Sequence, residues 1–326
     1  MRRPKGCRSS GRRSGCAANA EQERSWKMPK VRAMRVTVCL AILMSMVCLF
    51  ERTEALAKKH KECPAKKAVL LVAFGTSLPE AQKPYEIIED RVRAAFPGVE
   101  VRWAYTSSIV RRKLAEEGAA VDSPETAMAG LMDDRFTHVA ILSLHTIPGK
   151  EFHDLYQNAR LFSLMAGGFQ KVAVARPLLS SQQDMERVAA AMVNALPASR
   201  RPGDAVVFMG HGSAHHPADA IYGAMNALWQ ETDPDVYLAT VDGHPPFERV
   251  LAKLKERKTT KAYLVPFMLV AGDHARNDMA GPGPDSWKSV LERENIQAEP
   301  VFVGTGEISG VVDVWLEHLQ SAFDEL

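Results

Sequence analysis

Short runs rich in apolar residues alternate along the chain with longer stretches in which apolar residues recur every three or four positions. The short runs predict strands buried on both faces, at 68–74 ("AVLLVAF"), 99–106 ("VEVRWAYT") and 137–144 ("THVAILSL"). Each is followed by a stretch that predicts an amphipathic helix, at 83–96, 107–118 and 151–167. Strands that alternate with helices at this spacing indicate parallel βαβ units, and therefore an α/β fold.

The same pattern occurs a second time. The segment "AVLLVAFGTS" (68–77) aligns without a gap with "AVVFMGHGSA" (205–214). A second pair of segments, 139–154 and 262–278, aligns when Gly149 is set on Gly272, which puts Glu151 opposite His274. Two matches in the same order indicate an internal duplication. The sequence therefore predicts two similar Rossmann-like domains, each with a parallel sheet.

The boundary between these halves is predicted near 195–204, where Pro, Ser, Arg and Gly replace the apolar periodicity. The predicted division is an N-terminal half at 58–200 and a C-terminal half at 201–326, preceded by a separate segment at 1–57.

Residues 1–57 have the pattern of a targeting segment. Three basic residues between 30 and 35 precede an apolar run at 36–50, and the small residues of 55–57 form an A-x-A cleavage site. Residues 1–27, which are polar and rich in arginine, are interpreted as an upstream extension. A membrane anchor is the alternative, but fifteen apolar residues are short for a span of about twenty. We therefore expect a signal peptide cleaved after Ala57, a periplasmic protein and no remaining membrane anchor.

Charge and cysteine content narrow the function. Beyond residue 57 the chain has 29 Lys/Arg and 35 Asp/Glu, a net charge of −6, which argues against a nucleic-acid partner. Cys63 is the only cysteine left there, so one chain can form neither a disulfide framework nor a thiolate metal site. The chain has no G-x-G-x-x-G and no P-loop motif, so neither NAD nor ATP is expected. Metal chemistry would have to use histidine and carboxylate.

Three candidate site residues follow predicted strands. His211 lies between two glycines, which permit tight turns and close approach of a ligand. His274 follows Gly272 and has Asp273 and Asp278 nearby, either of which could hold its second ring nitrogen. Glu151 is aligned with His274, although a glutamate in the first turn of a helix is also favoured by the helix dipole. Because ligands bind outside the carboxyl ends of parallel strands, all three are expected to face one cleft.

The other histidines have simpler interpretations. His145 also ends a strand, but its alignment with Met268 suggests a packing position, and both readings stay open. His215 and His216 precede a predicted helix, where a solvated or capping role is expected. His153 is expected at the surface of a helix start, and His244 lies in a predicted turn.

The chain resembles the class II tetrapyrrole chelatases, and within them the anaerobic-type sirohydrochlorin cobaltochelatases. The resemblance covers both halves and is carried by several segments: "LLVAFGTS" (70–77), "TSSIVRRKL" (106–114), "SLHTIPGKEF" (143–152), "PLLSS" (177–181), "VVFMGHGSAHH" (206–216), "PFMLVAGDHARNDMAG" (266–281) and "DSWK" (285–288). It implies two similar α/β domains around a tetrapyrrole cleft. It also implies that His211 and His274 hold the metal and that Glu151 assists them as a third metal ligand and catalytic group. An export signal and His153 both depart from the family pattern.

The resemblance implies ATP-independent insertion of Co(II) into sirohydrochlorin, in cobalamin and tetrapyrrole biosynthesis. Neutral imidazoles and a carboxylate suit first-row divalent metals, and histidine or glutamate can remove the two pyrrole protons as general bases. Fe(II) as the metal, and an exported metal or haem carrier, are the alternatives. Cations such as Arg112, Lys113 and Arg176 could pair with the eight carboxylates of sirohydrochlorin.

His153 carries a further expectation. An exposed histidine beside Phe152 could bind haem b non-covalently, through a neutral imidazole. Bis-histidine ligation would then require two subunits, so that haem binding predicts a homo-oligomer. A solvated surface histidine is the alternative.

Overall fold

The computed structural model describes residue 44, residues 65–213 and residues 215–326. The predicted signal segment at 30–57, the extension before it and Cys63 lie outside the described residues, apart from Met44. No helix in the described part is long and apolar enough to cross a membrane.

Eight strands and nine α-helices form the described part of the chain. The strands are β1 Lys67–Ala73, β2 Glu100–Tyr105, β3 His138–Ser143, β4 Lys171–Val174, β5 Ala205–Gly210, β6 Val236–Thr240, β7 Lys261–Pro266 and β8 Gln297–Pro300. The helices are α1 Lys83–Ala95, α2 Ser108–Glu116, α3 Pro124–Asp133, α4 Lys150–Leu164, α5 Gln182–Asn194, α6 Ala220–Thr232, α7 Phe247–Glu256, α8 Trp287–Arg293 and α9 Ser309–Asp324. The three helices predicted at 83–96, 107–118 and 151–167 correspond to α1, α2 and α4.

Four of the helices begin at a serine. Ser107, Ser123, Ser181 and Ser286 each accept a hydrogen bond from the backbone N–H three residues ahead. Such a cap satisfies a donor that the first turn of a helix leaves free. These serine caps therefore determine where α2, α3, α5 and α8 begin.

The strands form two four-stranded parallel sheets with equivalent strand orders, β2-β1-β3-β4 and β6-β5-β7-β8. In the first sheet Ala68 pairs with Glu100 and Val139, and in the second Ala205 pairs with Ala262. The shared order confirms the predicted pair of similar α/β units. Because all pairs are parallel, the strands of each sheet have their carboxyl ends at one edge, where ligands of such folds bind.

The two halves share a hydrophobic core. One cluster of buried side chains includes Val69 and Leu142 from the first sheet and Phe208 from the second, together with Trp315 of α9. The strands divide at the predicted boundary near residue 200, but α9 packs on β3, β4 and α5 of the N-terminal half. Because α9 follows the second sheet and covers the first, the halves are not independent packing units. The boundary at 200 as a domain limit stays a prediction.

A buried contact between His318 and Asp184 joins α9 to α5. The Nε2 atom of His318 lies 3.3 Å from Asp184 Oδ1, and its Nδ1 atom lies 3.1 Å from the carbonyl oxygen of Arg176. Burial alone would raise the pKa of Asp184, but hydrogen bonds from Ser181 and Ser180 and the charge of His318 hold that pKa below its ordinary value. The ionised carboxylate therefore stabilises the fold.

We expect Asp184→Asn to reduce the acid sensitivity of the fold. A carboxyl whose pKa is lowered by folding stabilises the protein above its unfolded pKa of about 3.9, and that contribution is lost as the pH falls through the folded value. Urea denaturation between about pH 3 and pH 7 measures the effect. Asp324→Asn on α9 is the control, because Asp324 is exposed and accepts its hydrogen bond from Gln320 of the same helix. An unchanged pH dependence in Asp184→Asn would contradict this role.

Candidate active site

A cleft of about 630 Å³ lies between the two halves. Its walls come from the loops after β1 and β3 on one side, and after β5 and β7 on the other. Apolar side chains line much of it, and Phe74 and Ile109 are 46% and 58% exposed there. A cavity of this size with exposed apolar walls can hold a large flat ligand.

His211 directly follows β5. Its Nδ1 atom lies 3.0 Å from the carbonyl oxygen of Gly212. A carbonyl oxygen only accepts hydrogen bonds, so Nδ1 carries the hydrogen and Nε2 keeps a free lone pair. The neutral tautomer held in this way is the form that binds a metal.

His274 begins a π-helical turn, Ala275–Met279. Its Nδ1 atom lies 2.6 Å from Asp278 Oδ2, while Asp273 accepts a hydrogen bond from Asn277. Of the two carboxylates considered from the sequence, Asp278 is the one that holds the ring. An ionised carboxylate only accepts hydrogen bonds, so Nδ1 of His274 carries the hydrogen. In the neutral ring, Nε2 then has a free lone pair, as in His211.

The two imidazoles lie side by side. Their ring centroids are 4.9 Å apart and their planes are nearly perpendicular, at 84°. With both Nδ1 atoms occupied, the two Nε2 atoms are the nitrogens that can bind one divalent ion and leave the rest of its coordination sphere open.

Glu151 lies in the same cleft but belongs to the opposite wall, in the first turn of α4. Among the described residues, no three His, Cys, Asp or Glu side chains are grouped closely enough to hold a metal ion. Glu151 instead contacts His145, at 3.1 Å between Oε2 and Nε2, and Thr106, at 3.4 Å. The structure therefore brings His211 and His274 together and keeps Glu151 apart from them, so its role as a third ligand stays a prediction.

The structure places the other histidines considered from the sequence outside the His211 and His274 pair. His216 caps the short helix that follows it, because its Nδ1 atom accepts a hydrogen bond from Ala218, whereas His215 is exposed. His153 is exposed on α4, and its ring centroid lies 5.2 Å from that of His216. His244 lies in the turn after β6, where its backbone N–H donates to Asp219.

Only one of the three proposed rim cations lines the cleft. Lys113 does, together with Lys150, which sequence reasoning did not single out. Arg112 is not part of the described lining, and Arg176 lies beside α9, where its carbonyl oxygen contacts His318. Because Lys150 directly precedes Glu151, the sequence could have predicted that Lys150 also lies at the cleft.

Two buried tyrosines complete the walls. Burial raises the pKa of Tyr85 and of Tyr222, so both phenols are neutral at physiological pH. The hydroxyl of Tyr85 is buried and has no hydrogen-bond partner among the described residues.

Solved structures of chelatases share this fold. SirB from Bacillus subtilis subspecies spizizenii, solved with cobalt, aligns with a TM-score of 0.55 at 15% identity, over 80% of this chain and 96% of that chain. CbiX, described as the terminal enzyme for biosynthesis of siroheme in denitrifying bacteria, aligns with a TM-score of 0.51 at 18% identity, over 78% and 99%. At these identities the likeness concerns the fold alone, and it is a chelatase fold.

The chain belongs to the cobalt chelatase (CbiK) family, whose model matches residues 67–324. It is 43% identical to the sirohydrochlorin cobaltochelatase CbiKC of Nitratidesulfovibrio vulgaris, over 80% of this chain and 92% of that protein. It is 34% identical to the sirohydrochlorin cobaltochelatase of Salmonella typhimurium, over 79% and 97%. The resemblance inferred from the motifs is confirmed, and the protein is a metal chelatase.

Proposed function

We propose that this protein inserts Co(II) into sirohydrochlorin without ATP, as a step of tetrapyrrole biosynthesis. The observation that carries the proposal is the pair of imidazoles, His211 and His274, whose free Nε2 atoms lie at the cleft of a cobalt chelatase fold. Two relatives that share most of their length with this chain are both named sirohydrochlorin cobaltochelatase.

In the proposed mechanism one wall of the cleft binds the metal and the opposite wall accepts a proton. The two histidines hold Co(II), the metal substrate, through Nε2 atoms, and the exposed apolar side chains support the face of the macrocycle. Two pyrrole protons must leave as the metal enters the ring. Glu151, on the opposite wall, is the carboxylate placed to accept one of them as a general base, and His211 or His274 accepts the other on the Nε2 atom that the departing metal leaves free. Lys113 and Lys150 supply charges for the carboxylates of the substrate.

A turnover assay tests this function. Purified protein is mixed with sirohydrochlorin and Co(II), and the absorbance of the cobalt product is followed, with Fe(II) in a parallel reaction. We expect insertion well above the rate without protein, with cobalt preferred. A protein that binds the metal but does not accelerate insertion would instead be a carrier, and faster insertion of iron would make it a ferrochelatase.

We further propose that the protein is exported and that its mature form begins at Lys58. The support is the sequence of 30–57 alone: a basic start, an apolar run and an A-x-A site. N-terminal sequencing of protein recovered from the periplasm should begin at Lys58. Protein that stays in the cytoplasm and retains residue 28 would refute the proposal.

Haem b on His153, and a homo-oligomer that shares it, form the last part of the proposal. The support is that His153 is exposed and that its Nδ1 atom lies 2.9 Å from the carbonyl oxygen of Gly149, so that Nε2 has a free lone pair. Added haem should give a low-spin Soret spectrum that disappears in His153→Ala, with cobalt insertion unchanged. Identical spectra in both proteins would refute it.

A further inference from the structure

His145 is a nearly buried imidazole that the proposed mechanism does not use. It lies two residues after β3, in the wall of the cleft, and its side chain is 10% exposed. Its Nδ1 atom lies 2.9 Å from the hydroxyl of Ser143, which is completely buried, and its Nε2 atom lies 3.1 Å from Glu151 Oε2. The ring therefore connects the end of β3 to Glu151, the one carboxylate among the described residues of this wall.

The chemistry of the partners fixes which nitrogen carries the hydrogen. An ionised carboxylate can only accept hydrogen bonds, so Nε2 must be the protonated nitrogen. Nδ1 is then the acceptor, and the Ser143 hydroxyl donates to it. The Thr106 hydroxyl donates a hydrogen bond to Oε2 of Glu151, the same oxygen that lies near His145. His145 and Thr106, which follow β3 and β2, thus both approach Oε2.

The contact between His145 and Glu151 is close but incompletely aligned. The Nε2 atom is buried and makes no well-directed hydrogen bond to any described residue, although Oε2 lies 3.1 Å away. A buried donor without a partner is costly. Catalytic hydrogen bonds are often poorly aligned before substrate binds and tighten in the complex. A small rotation of the Glu151 side chain, which is 42% exposed, would complete the bond.

Two lysines line the same cavity and could attract the Glu151 carboxylate if His145 were absent. They are Lys113 and Lys150, and Lys150 already pairs with Asp154 one turn further along α4. We propose that His145 is a positioning residue, which holds the carboxylate of Glu151 toward the bound macrocycle and away from these lysines. The inference rests on the proposed function, because it assigns Glu151 a part in removing pyrrole protons.

Three substitutions test the proposal. His145→Leu should lower kcat for cobalt insertion by about 10- to 100-fold, the usual cost of losing an outer-shell partner. The Kd for Co(II) on His211 and His274 should stay at the parent's value, because His145 lies on the opposite wall, and KM for sirohydrochlorin should change less than kcat, because the His145 side chain is only 10% exposed in the cleft. His145→Gln keeps an N–H donor and should recover most of kcat. His138→Leu is the matched control, since His138 begins the same strand at its far end, where its ring contacts Thr137.

A double-mutant cycle distinguishes positioning from a general structural role. If His145 acts through Glu151, then His145→Leu should cause no further loss in a Glu151→Gln background. A full additional loss there, or a kcat that Gln does not recover, would overturn the proposal. Melting temperatures of all variants identify any protein that has failed to fold.

A crystal structure of His145→Leu gives an outcome that does not depend on activity. We expect the Glu151 carboxylate to turn away from Thr106 toward a lysine. A carboxylate that keeps its place would overturn the positioning role, even if the parent inserts cobalt. Failure of the parent to insert cobalt would overturn the proposed function. The crystal structure would still show whether His145 holds the Glu151 carboxylate in place.

Discussion

His211→Ala and His274→Ala should each abolish cobalt insertion while the fold stays intact. Each substitution removes one of the two imidazoles whose rings lie 4.9 Å apart in the cleft and whose Nδ1 atoms are already engaged. Loss of a general base alone costs about 10²- to 10⁴-fold, and loss of a metal ligand adds to that cost. Both side chains are at least partly exposed, so their removal leaves no buried cavity.

Two measurements check this result. Isothermal titration with Co(II) should show that each variant loses affinity, and turnover should fall to the background rate. His215→Ala is the matched control, because His215 is an exposed histidine of the same loop. Near-normal turnover by either His211→Ala or His274→Ala would show that the histidine pair is not the metal site.

The fold could be predicted from the sequence because its strands are buried on both faces. Buried parallel strands read as continuous apolar runs, and β1 and β5 are buried over almost their whole length. The alignment of 68–77 with 205–214 then predicted the duplication, and both loops contain a glycine with positive φ, +103° at Gly75 and +82° at Gly212. The packing of α9 on the first sheet could not be predicted, because the apolar face of an amphipathic helix does not show which of two sheets it covers.

The candidate site was predictable in part for a similar reason. His211 and His274 are local features, a histidine beside glycine at the end of a strand, and the structure brings them together. The contact of His145 with Glu151 depends on how the loop after β3 returns to α4. The aligned Met268 suggested a packing position for His145, but the neighbouring Ser143 and Glu151 give it polar partners instead.

The duplication also explains how one fold obtains two different walls. Phe74 occupies the position in the first half that His211 occupies in the second, and the two rings lie 6.4 Å apart across the cleft. An aromatic ring on one side can support a flat ligand, and an imidazole on the other can hold a metal against it. We therefore expect the same loop geometry to serve ligand binding in the first half and metal binding in the second.

The loop after β5 should not tolerate any side chain at Gly212. Gly212 has a φ of +82°, which costs other residues roughly 1–2 kcal/mol. A Cβ atom there would lie 2.1 Å from the carbonyl oxygen of Asp242, so the backbone would have to shift. That backbone is tied on both sides, because Asp242 donates its N–H to the carbonyl of His211, and Ser213 donates its N–H to Asp219.

We therefore expect Gly212→Ala to displace His211 and lower cobalt insertion by about 10²-fold, since a shift of about 1 Å in a catalytic group can cost that much. The free energy of unfolding should also fall, by at least the conformational cost of about 1 kcal/mol. Gly223→Ala is the control, because Gly223 lies within α6 with open space around it, and alanine there should stabilise the helix by about 1 kcal/mol. Urea denaturation, Co(II) titration and turnover of both variants provide the comparison. If Gly212→Ala kept the parent's cobalt affinity and turnover, the tight turn at Gly212 would not be what positions His211.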